Sequence, residues 1–447
     1  MGSAVDQLLA LQHEKDPYGT SPDDLLPLQL EAANERLASR VDEIPLLRNR
    51  AQSGGITKVV EPADLVPLLF AHSAYKSYSE SWLTEGRWDR MAKWLRTVST
   101  PSLDGLDLDG VADLNEFVTR LETVECYVTC SSGTTGKPAM IPCSATDLDI
   151  ASQTNVRGLS WATGIAPDGD RKFLGLGPRM AIERNERTRL AMIDAFSSRE
   201  NNYQLPLDPI TVGSIMGMIT FRRRIADGTA SPSEVAAFER LSTDRQTAMD
   251  TAVAGAVDEL IASRDQKLLL ASMWSSLYQI AEGVRAKGFS GKDFQDHTAL
   301  LVGGGLKGAS LPDNYREYIY ETFNVRDELV YHLYTMQELN TPFPKCHAGR
   351  YHVPPWVIML RLDEPGEELV GSDSAQVQCR AGFFDLSLDG RWGGVISGDR
   401  VDVDFSLCGC GHYGPAIAQE IVRYADLAGG DKITCAGTID AYVRGEG

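Results

Sequence analysis

Residues 131–142 read SSGTTGKPAMIP, and this stretch decides which fold the chain is expected to have. It combines hydroxyl side chains, glycines and one lysine, which suits a loop that wraps a polyphosphate. Backbone N–H groups and hydroxyls can donate hydrogen bonds to phosphate oxygens, and the lysine adds a positive charge. A polar surface turn that binds nothing has the same composition, so the flanking sequence has to separate the two interpretations.

The flanks predict a strand on each side of the loop. Residues 125–129, ECYVT, precede it, residues 139–142, AMIP, follow it, and Ser144 then opens a capping box, Ser-Ala-Thr-Asp, that predicts a helix. A P-loop would need Gly at position 131, Ser or Thr at position 138 and a helix at once. The chain has Ser131 and Pro138 instead. The sequence therefore predicts a phosphate-binding loop between two strands rather than a P-loop, with a ligand-free surface turn as the alternative.

The composition is that of a folded, acidic protein. The chain has 447 residues, too many for one ordinary core, and 43% of them are hydrophobic. Its 62 acidic residues outnumber 43 basic ones, for a net charge of −19, which argues against general nucleic-acid binding because counterion release needs a basic surface. No apolar run reaches the length of a membrane span, and the N-terminus does not resemble a secretion signal. We therefore expect a soluble, cytoplasmic protein.

The order of helical and strand-like patterns predicts an α/β protein. Residues 1–100 are mainly helical in pattern, and from about residue 120 short β-rich runs alternate with helical stretches. After Pro354 and Pro355 short strands dominate. We expect four regions: a helical N-terminal region, 1–100; an α/β subdomain with the loop, 101–300; an α/β and β-rich subdomain, 301–420; and a C-terminal stub, 421–447.

Several segments, in the same order, resemble one enzyme superfamily. CSSGTTGKPAMIP is similar to the phosphate-binding signature of the adenylate-forming enzymes, which include acyl-CoA ligases, firefly luciferase and peptide-synthetase adenylation domains. YHLYTMQELN resembles their Tyr-Gly-x-Thr-Glu segment, and ISGDRVDVD their ribose-binding segment. CGCGHYGPAI and IVRYADLAGGDKI resemble the end of the large domain in the phenylacetate-CoA ligase branch, and LLVGGGLKG looks closest to the acyl-protein synthetases. The resemblance implies the large-domain fold, with the small C-terminal domain absent or truncated.

The resemblance also implies a nucleotide site. Lys137 and the loop hydroxyls would hold the β- and γ-phosphates, Glu338 would bind Mg²⁺ through oxygen, and Asp399 would hold the ribose hydroxyls. The full set of implied ATP-binding residues is Ser131, Ser132, Gly133, Thr134, Thr135, Gly136, Lys137, Gly303, Gly304, Gly305, Tyr334, Thr335, Glu338, Asp399 and Arg423.

The sequence departs from the family pattern in four places. Thr335 and Gln337 stand where the family has Gly and Thr, and His412 stands where an arginine is expected. No residue corresponds to the catalytic lysine of the small domain, so adenylation would rely on the large domain alone, or on Lys137 or Lys307.

The implied reaction is the activation of a small carboxylic acid by ATP. The carboxylate attacks the α-phosphorus, pyrophosphate leaves, and the acyl group of the resulting acyl-AMP passes to a thiol. That thiol would belong to an acyl-acceptor protein, as in acyl-protein synthetases, or to a carrier protein or coenzyme A. Cys435, in KITCAGTI, is the acyl acceptor that the resemblance implies within the chain; the alternative is a buried cysteine of a strand. The identity of the acid stays open.

Two functions from other classes remain as alternatives. One is a non-catalytic adenylate-binding protein, because the resemblance implies an absent or truncated small domain and Gln337 replaces a hydroxyl. The other is an NAD-dependent oxidoreductase, because residues 303–308, GGGLKG, fit G-x-G-x-x-G, follow an apolar run and precede a helical stretch, with acids at Glu321 and Asp327. Against the second, the motif lies late in the chain and leaves residues 131–136 unexplained.

Four further residues predict a structural zinc site. The chain has eight cysteines, and in a reducing compartment free thiols or metal ligands are expected rather than disulfides. Cys346, Cys408 and Cys410 offer thiolates and His352 an imidazole, a set that forms a closed tetrahedral zinc site. In the phenylacetate-CoA ligase branch a similar pattern holds zinc, which favours His352 over His347. The alternative is buried free cysteines beside an exposed histidine.

Overall fold

The computed structural model describes residues 2–130, 137–303, 310–371, 374–427 and 430–431. Their contacts divide the chain into two units: unit 1 comprises Met1–Thr154 and Met336–Gly447, and unit 2 comprises Asn155–Thr335. The four regions expected from the sequence stay a prediction beside this division into two units. Sequence patterns describe contiguous segments, so they cannot show that residues 1–154 pack with residues 336–447.

The early part of unit 1 is helical, as the sequence predicts. Its α-helices are α1 (Ala4–Ala10), α2 (Pro22–Arg40), α3 (Pro45–Gly54), α4 (Glu80–Thr84), α5 (Trp88–Val98) and α6 (Leu114–Glu122). Short 3-10 helices cover Leu11–His13, Pro62–Leu68, Ala74–Lys76 and, near the other end of the chain, Tyr424–Asp426. Side chains that accept from the first-turn N–H groups begin several of these helices, for example Ser21 before α2 and Asp113 before α6.

Two strands frame residues 131–136. After the short β1 (Phe70–Ala71), β2 (Tyr127–Cys130) pairs antiparallel with β3 (Met140–Cys143). Helix α7 (Ala145–Thr163) follows. Ser144 N donates to Asp147 Oδ2 at 2.9 Å and Asp147 N donates to Ser144 Oγ at 3.2 Å, which is the expected capping box. The predicted strand on each side of residues 131–136 and the predicted helix after them are therefore present.

Unit 2 is built on parallel strands. These are β4 (Lys172–Gly175), β5 (Asn202–Gln204), β6 (Leu268–Ser272), β7 (Thr298–Gly303) and β8 (Val325–Tyr334). They lie in the order β5-β4-β6-β7-β8, and each neighbouring pair is parallel. The helices of the unit are α8 (Glu183–Phe196), α9 (Val212–Ala226), α10 (Pro232–Ala262), α11 (Trp274–Ala286) and α12 (Tyr315–Phe323), with a 3-10 helix at Gly291–Asp293.

Helices cover both faces of this sheet. In β6, Leu268 and Leu270 belong to the core formed with α10, α11 and α12, whereas Leu269 belongs to the core formed with α8. β7 divides in the same way, with Leu300 in the first core and Ala299 in the second. Successive side chains of a strand point to opposite faces, so strands buried on both faces have continuous apolar sequences. This is why LLLAS and TALLVG show no alternation.

The later part of unit 1 is rich in strands, as expected. They are β9 (Phe343–Pro344), β10 (Tyr351–His352), β11 (Val357–Leu362), β12 (Gln376–Asp385), β13 (Gly394–Asp404), β14 (Ala416–Ile417) and β15 (Val422–Arg423). One sheet has the order β10-β14-β13-β12-β11, and β1 and β15 also pair with β13. β13 is thus the strand on which this sheet is centred.

The mixed α/β class expected from the sequence is confirmed. No helix in the described part of the chain is long and apolar enough to cross a lipid bilayer. The strand expected in residues 431–443 lies, except for its first residue, outside the described residues.

Candidate functional site

The residues named from the sequence fall into both units, and each group is described by itself. Unit 1 contains Lys137, Glu338, Asp399 and Arg423, and unit 2 contains Gly303 with the segment 334–335. The other predicted site residues lie outside the described residues: Ser131, Ser132, Gly133, Thr134, Thr135, Gly136, Gly304, Gly305, Lys307 and Cys435.

Lys137 lies against Tyr78. Its ammonium group donates to the backbone oxygen of Tyr78 and lies 4.9 Å from the centre of the Tyr78 ring. The Tyr78 hydroxyl donates in turn to the backbone oxygen of Pro138 at 2.8 Å, and Tyr78 is fully buried. These contacts fix the chain where it leaves residues 131–136. An ammonium group combines a positive charge with three donors, which suits a phosphate oxygen as its ligand.

The segment that carries Glu338 is joined to the strand before the loop. Thr129 of β2 donates from Oγ1 to Gln337 Oε1 at 2.8 Å. Gln337 is the residue that replaces a threonine of the family pattern. Its longer amide side chain accepts a bond from β2, so the departure has a structural consequence. Glu338 follows directly and is half-buried.

Arg391 joins the same segment to the strand after the loop. Its buried guanidinium donates to the backbone oxygens of Gln337 and Glu338, both at 3.2 Å, and to that of Pro142 at 2.8 Å. Cys143 Sγ lies 3.3 Å from the same group. Arginine presents five donors in a rigid fork, so one side chain can hold β3 and the backbone of Glu338 at once. Sequence reasoning missed Arg391, because nothing in the run GRWGG marks its arginine as buried.

Asp399 and Arg423 face each other in the sheet of unit 1. β13 and β15 pair antiparallel with Asp399 opposite Arg423. The backbone N–H of Asp399 donates to Ser397 Oγ at 3.1 Å. Cross-strand partners carry their side chains on the same face of a sheet, so this face offers an acceptor carboxylate and a donor guanidinium, the groups that the two hydroxyls of a ribose require.

In unit 2, Gly303 and Tyr334 lie at the carboxyl ends of neighbouring parallel strands. Gly303 is the last residue of β7 and pairs with Leu333 of β8, and Tyr334 ends β8. Thr335 follows and is exposed. Ligands of open α/β sheets bind outside the carboxyl ends of the strands. The positions of these residues are therefore compatible with a binding role in unit 2.

The same region bears on the dinucleotide alternative. In a Rossmann site the helix begins at the glycine motif, so that its N-terminus holds the pyrophosphate. Here residues 310–314 are not helical and α12 begins only at Tyr315, well after Gly308. Residues 304–309, where such a helix would begin, lie outside the described residues, so the dinucleotide interpretation stays an alternative.

The four candidate zinc ligands come together in unit 1. The ligand atoms of Cys346, His352, Cys408 and Cys410 all lie within 4.8 Å of one another. Cys346 Sγ is 3.9 Å from Cys408 Sγ, and Cys410 Sγ is 3.3 Å from His352 Nε2. In a tetrahedral site with Zn–S bonds of about 2.3 Å, two sulfur atoms stand about 3.8 Å apart. The donors therefore fit a zinc ion in type, number and spacing.

Two matching turns present the cysteines. In the first turn the N–H of Cys346 donates to the oxygen of Arg350, and the N–H of Gly349 donates to the oxygen of Cys346. In the second turn the N–H of Cys408 donates to the oxygen of His412, and the N–H of Gly411 donates to the oxygen of Cys408. All four distances are 2.9 Å. The two glycines have φ values of 78° and 87°, in the left-handed region that favours glycine. The repeated turn explains why both Cys-containing segments carry a glycine three residues after the cysteine.

A backbone carbonyl orients His352. Its Nδ1 is 2.9 Å from the oxygen of Tyr413, so Nδ1 donates and Nε2 faces Cys410. Burial lowers the pKa of His352 to about 4, which keeps the imidazole neutral, the form that binds a metal. Burial also raises the pKa of the Cys410 thiol to about 12, so a bound cation would have to stabilise its thiolate. The neighbouring His347 is exposed and is not part of this group.

Comparison with known proteins relates the fold to solved structures. No family model matches the sequence, and no curated protein matches it. The chain is similar to a 2-hydroxyisobutyryl-CoA ligase in complex with 2-HIB-AMP and CoA in the thioesterification state, with 14% identity and a TM-score of 0.56 over 93% of this chain and 72% of that chain. An open conformation of the same ligase gives 13% identity and a TM-score of 0.54 over 92% and 78%. At this identity the likeness shows a shared fold.

Proposed function

We propose, from the premise that this chain has the fold of the adenylate-forming enzymes, that it activates a carboxylic acid with ATP and passes the acyl group to a thiol. In the first step a carboxylate oxygen attacks the α-phosphorus, acyl-AMP forms and pyrophosphate leaves. In the second step the thiol sulfur attacks the acyl carbon, the thiol loses its proton and AMP leaves. The ligase of similar fold was solved with an acyl-AMP and CoA, which supports this two-step chemistry.

The observation that carries the proposal is that the segment 337–338 is hydrogen-bonded to both strands that flank residues 131–136. Thr129, from the strand before residues 131–136, bonds the side chain of Gln337. Arg391, which also bonds the strand after those residues, holds the backbone of Gln337 and Glu338. The two strands and the candidate Mg²⁺ ligand thus belong to one hydrogen-bonded framework. Negative charge develops on the phosphates as pyrophosphate leaves. Groups that are already fixed in position stabilise this charge without reorganisation.

The candidate residues of unit 1 each have a role in the proposed first step. Lys137 would neutralise charge on the β- and γ-phosphates, and Asp399 with Arg423 would bind the ribose hydroxyls. Glu338 would offer Mg²⁺ a carboxylate oxygen; one carboxylate is enough because Mg²⁺ takes most of its other ligands from substrate phosphates and water. Mg²⁺ would spread the negative charge of the phosphates, and the protein groups would hold them in line for displacement.

The acceptor that we propose is a protein thiol, on the resemblance to acyl-protein synthetases. Coenzyme A or a carrier protein is the second candidate, because CoA is bound in the structure of the similar ligase. We further propose that Cys346, His352, Cys408 and Cys410 bind a structural zinc ion, supported by the fit of their spacing to tetrahedral coordination.

The test is ATP–pyrophosphate exchange with a panel of fatty, aryl and amino-substituted aryl acids. At least one acid should support exchange that depends on Mg²⁺. Lys137→Ala should slow exchange by at least about tenfold, since a single charged contact to the transition state contributes on the order of 2–4 kcal/mol. Lys93→Ala, at an exposed position of α5, is the control and should exchange at the rate of the unaltered protein. Nucleotide binding without exchange for any acid would favour the non-catalytic alternative.

A further inference from the structure

Strand β13 is bulged where it carries Asp399. The ladder pairs Arg380 with Arg400 and Gly382 with Ile396, and its register shifts between these pairs. Between them β12 has one residue, at position 381, and β13 has three, of which Asp399 is the last. A bulge takes backbone groups out of the ladder and re-aims side chains, so something else must hold it in place.

Arg380, on the neighbouring strand β12, is hydrogen-bonded to the backbone of the bulge. It is fully buried, and it donates to the backbone oxygen of Ser397 at 2.9 Å, to that of Glu364 at 2.7 Å and to Asp431 Oδ1 at 3.0 Å. Its Cζ lies 3.8 Å from the centre of the Tyr424 ring. Three of its nitrogens and one face of its plane are engaged, so the guanidinium has a single orientation.

Ser397 connects Arg380 to Asp399 through two hydrogen bonds. The carbonyl of Ser397 accepts from Arg380, and the hydroxyl of Ser397 accepts from the backbone N–H of Asp399 at 3.1 Å. Ser397 is buried, so its carbonyl needs a protein donor, and Arg380 supplies it. Arg380 therefore fixes the stretch of backbone from which the Asp399 carboxylate extends.

Asp431 supplies the counter-charge that a buried guanidinium needs. Its second carboxylate oxygen lies 3.8 Å from His72 Nε2. The backbone N–H of His72, at the end of β1, donates to the oxygen of Ile396 at 3.0 Å, at the start of the bulge. The bulge is thus held on one side by Arg380 and on the other by the end of β1, and Asp431 contacts both.

We propose that Arg380 is a positioning residue for ribose recognition. By holding the bulge, it sets the Asp399 carboxylate where it accepts hydrogen bonds from the ribose hydroxyls of the nucleotide. The identity of the ligand as an adenine nucleotide rests on the proposed function. A site built to bond a hydroxyl rejects an analogue without it, because the partner group is then left unpaired. Arg380 should therefore control the discrimination between ATP and its deoxy analogues.

Two measurements give this discrimination. One is the ratio of kcat/KM for ATP to that for 2′-deoxy-ATP or 3′-deoxy-ATP in pyrophosphate exchange; the other is the ratio of Kd values for 2′-deoxy-AMP and AMP, which needs no catalysis. The unaltered protein should prefer the ribonucleotide by at least about tenfold. Arg380→Lys keeps the charge but loses the planar fork, so the ratio should fall at least about fivefold, toward that of Asp399→Ala.

Arg285→Lys is the matched control. Arg285, in unit 2, also lies over a tyrosine ring, with Cζ 4.7 Å from the centre of Tyr318, donates to Thr322 Oγ1 at 2.7 Å and pairs with Glu321 at 3.4 Å. Arg285 is only partly buried, so it controls for the loss of a ring-stacked, hydrogen-bonded guanidinium, and the ribose ratio should change only in Arg380→Lys.

A folded Arg380→Lys variant with an unchanged ratio would overturn the proposal, as would an unaltered protein that uses ATP and both deoxy analogues equally well. Should Arg380→Lys not fold, Asp431→Asn is the deciding variant, because it removes the counter-charge of Arg380 but keeps the shape of the side chain. The ribose ratio of Asp431→Asn should fall at least about twofold. An unchanged ratio in this variant overturns the proposal. If no acid supports exchange but AMP binding discriminates as expected, the proposed function fails while the role of Arg380 stands.

Discussion

The backbone oxygen of Glu338 lies 3.2 Å from the buried guanidinium of Arg391. The same guanidinium binds the backbone oxygen of Pro142, in the strand that follows residues 131–136. Arg391 therefore holds Glu338 through its main chain, and its contact does not use the carboxylate. Two segments almost two hundred residues apart in sequence are fixed relative to each other by one side chain.

Arg391→Lys should raise the Mg²⁺ concentration that gives half-maximal pyrophosphate exchange by several fold. A lysine cannot bond both carbonyls and Pro142 in the geometry of a guanidinium, so the Glu338 backbone loses its position. We also expect the free energy of unfolding to fall by about 1–3 kcal/mol, because a buried carbonyl loses its donor. Arg326→Lys, at a half-exposed position of β8, should change neither quantity. A folded Arg391→Lys protein with the Mg²⁺ requirement of the unaltered protein would contradict the role assigned to Arg391.

The zinc proposal predicts close to one equivalent of zinc by elemental analysis of protein purified without chelator. Cys408→Ser should lose the metal and lower Tm by at least about 5 °C, because a structural site contributes directly to folding. Cys379→Ser is the control: Cys379 is also buried, but it lies in β12 outside the cluster, so that variant should keep the metal. Zinc-free protein, or equal zinc in both variants, would exclude the site.

The proposal that a protein thiol accepts the acyl group is tested at Cys435. Burial raises the pKa of Cys126, Cys130 and Cys379 to about 12, which makes these thiols poor nucleophiles near neutral pH. After incubation with an accepted acid and ATP, we expect a hydroxylamine-labile adduct on the tryptic peptide that contains Cys435. Cys435→Ala should reduce the ratio of adduct to pyrophosphate exchange to background. A normal acyl transfer to coenzyme A or to a carrier protein by the alanine variant would instead establish an external acceptor.

In unit 2, Tyr331 and Gly158 make a prediction about stability alone. The Tyr331 hydroxyl is buried without a hydrogen-bond partner among the described residues, and a Cβ placed on Gly158 of α7 would lie 2.6 Å from its oxygen. Gly→Ala in a helix normally stabilises by about 1 kcal/mol, but Gly158→Ala should destabilise by about 1–3 kcal/mol because of this overlap. Tyr331→Phe should be neutral or stabilising by about 1 kcal/mol, since it removes an unpaired polar group.

Denaturant unfolding of the two single variants and the double variant checks this prediction. In Gly158→Ala/Tyr331→Phe the nearest ring atom, Cζ, is 3.3 Å from the added Cβ, so most of the overlap is relieved and the pair should show a favourable coupling energy. Additive effects would mean that α7 and β8 adjust without strain.

The sequence was sufficient where a feature depends on neighbours along the chain. The strands on either side of residues 131–136 and the Ser144–Asp147 capping box follow from local propensity and from hydrogen bonds over three residues. The four candidate zinc ligands could be named from the sequence because each pair lies close together along the chain and the residue types are chemically rare. Resemblance in a few such segments was enough to predict the fold that the solved structures confirm.

Only the tertiary structure decided which distant residues support those segments. Arg380 and Arg391 look in the sequence like ordinary surface arginines, and both are buried. Their partners are set by the register of β12 against β13 and by the packing of β3 beside residues 337–338. Register and packing depend on the burial of whole faces of a sheet, a sum over many side chains that no local window contains. The sequence alone therefore determined the segments of this protein, whereas the burial of its long-range contacts determined how those segments are held.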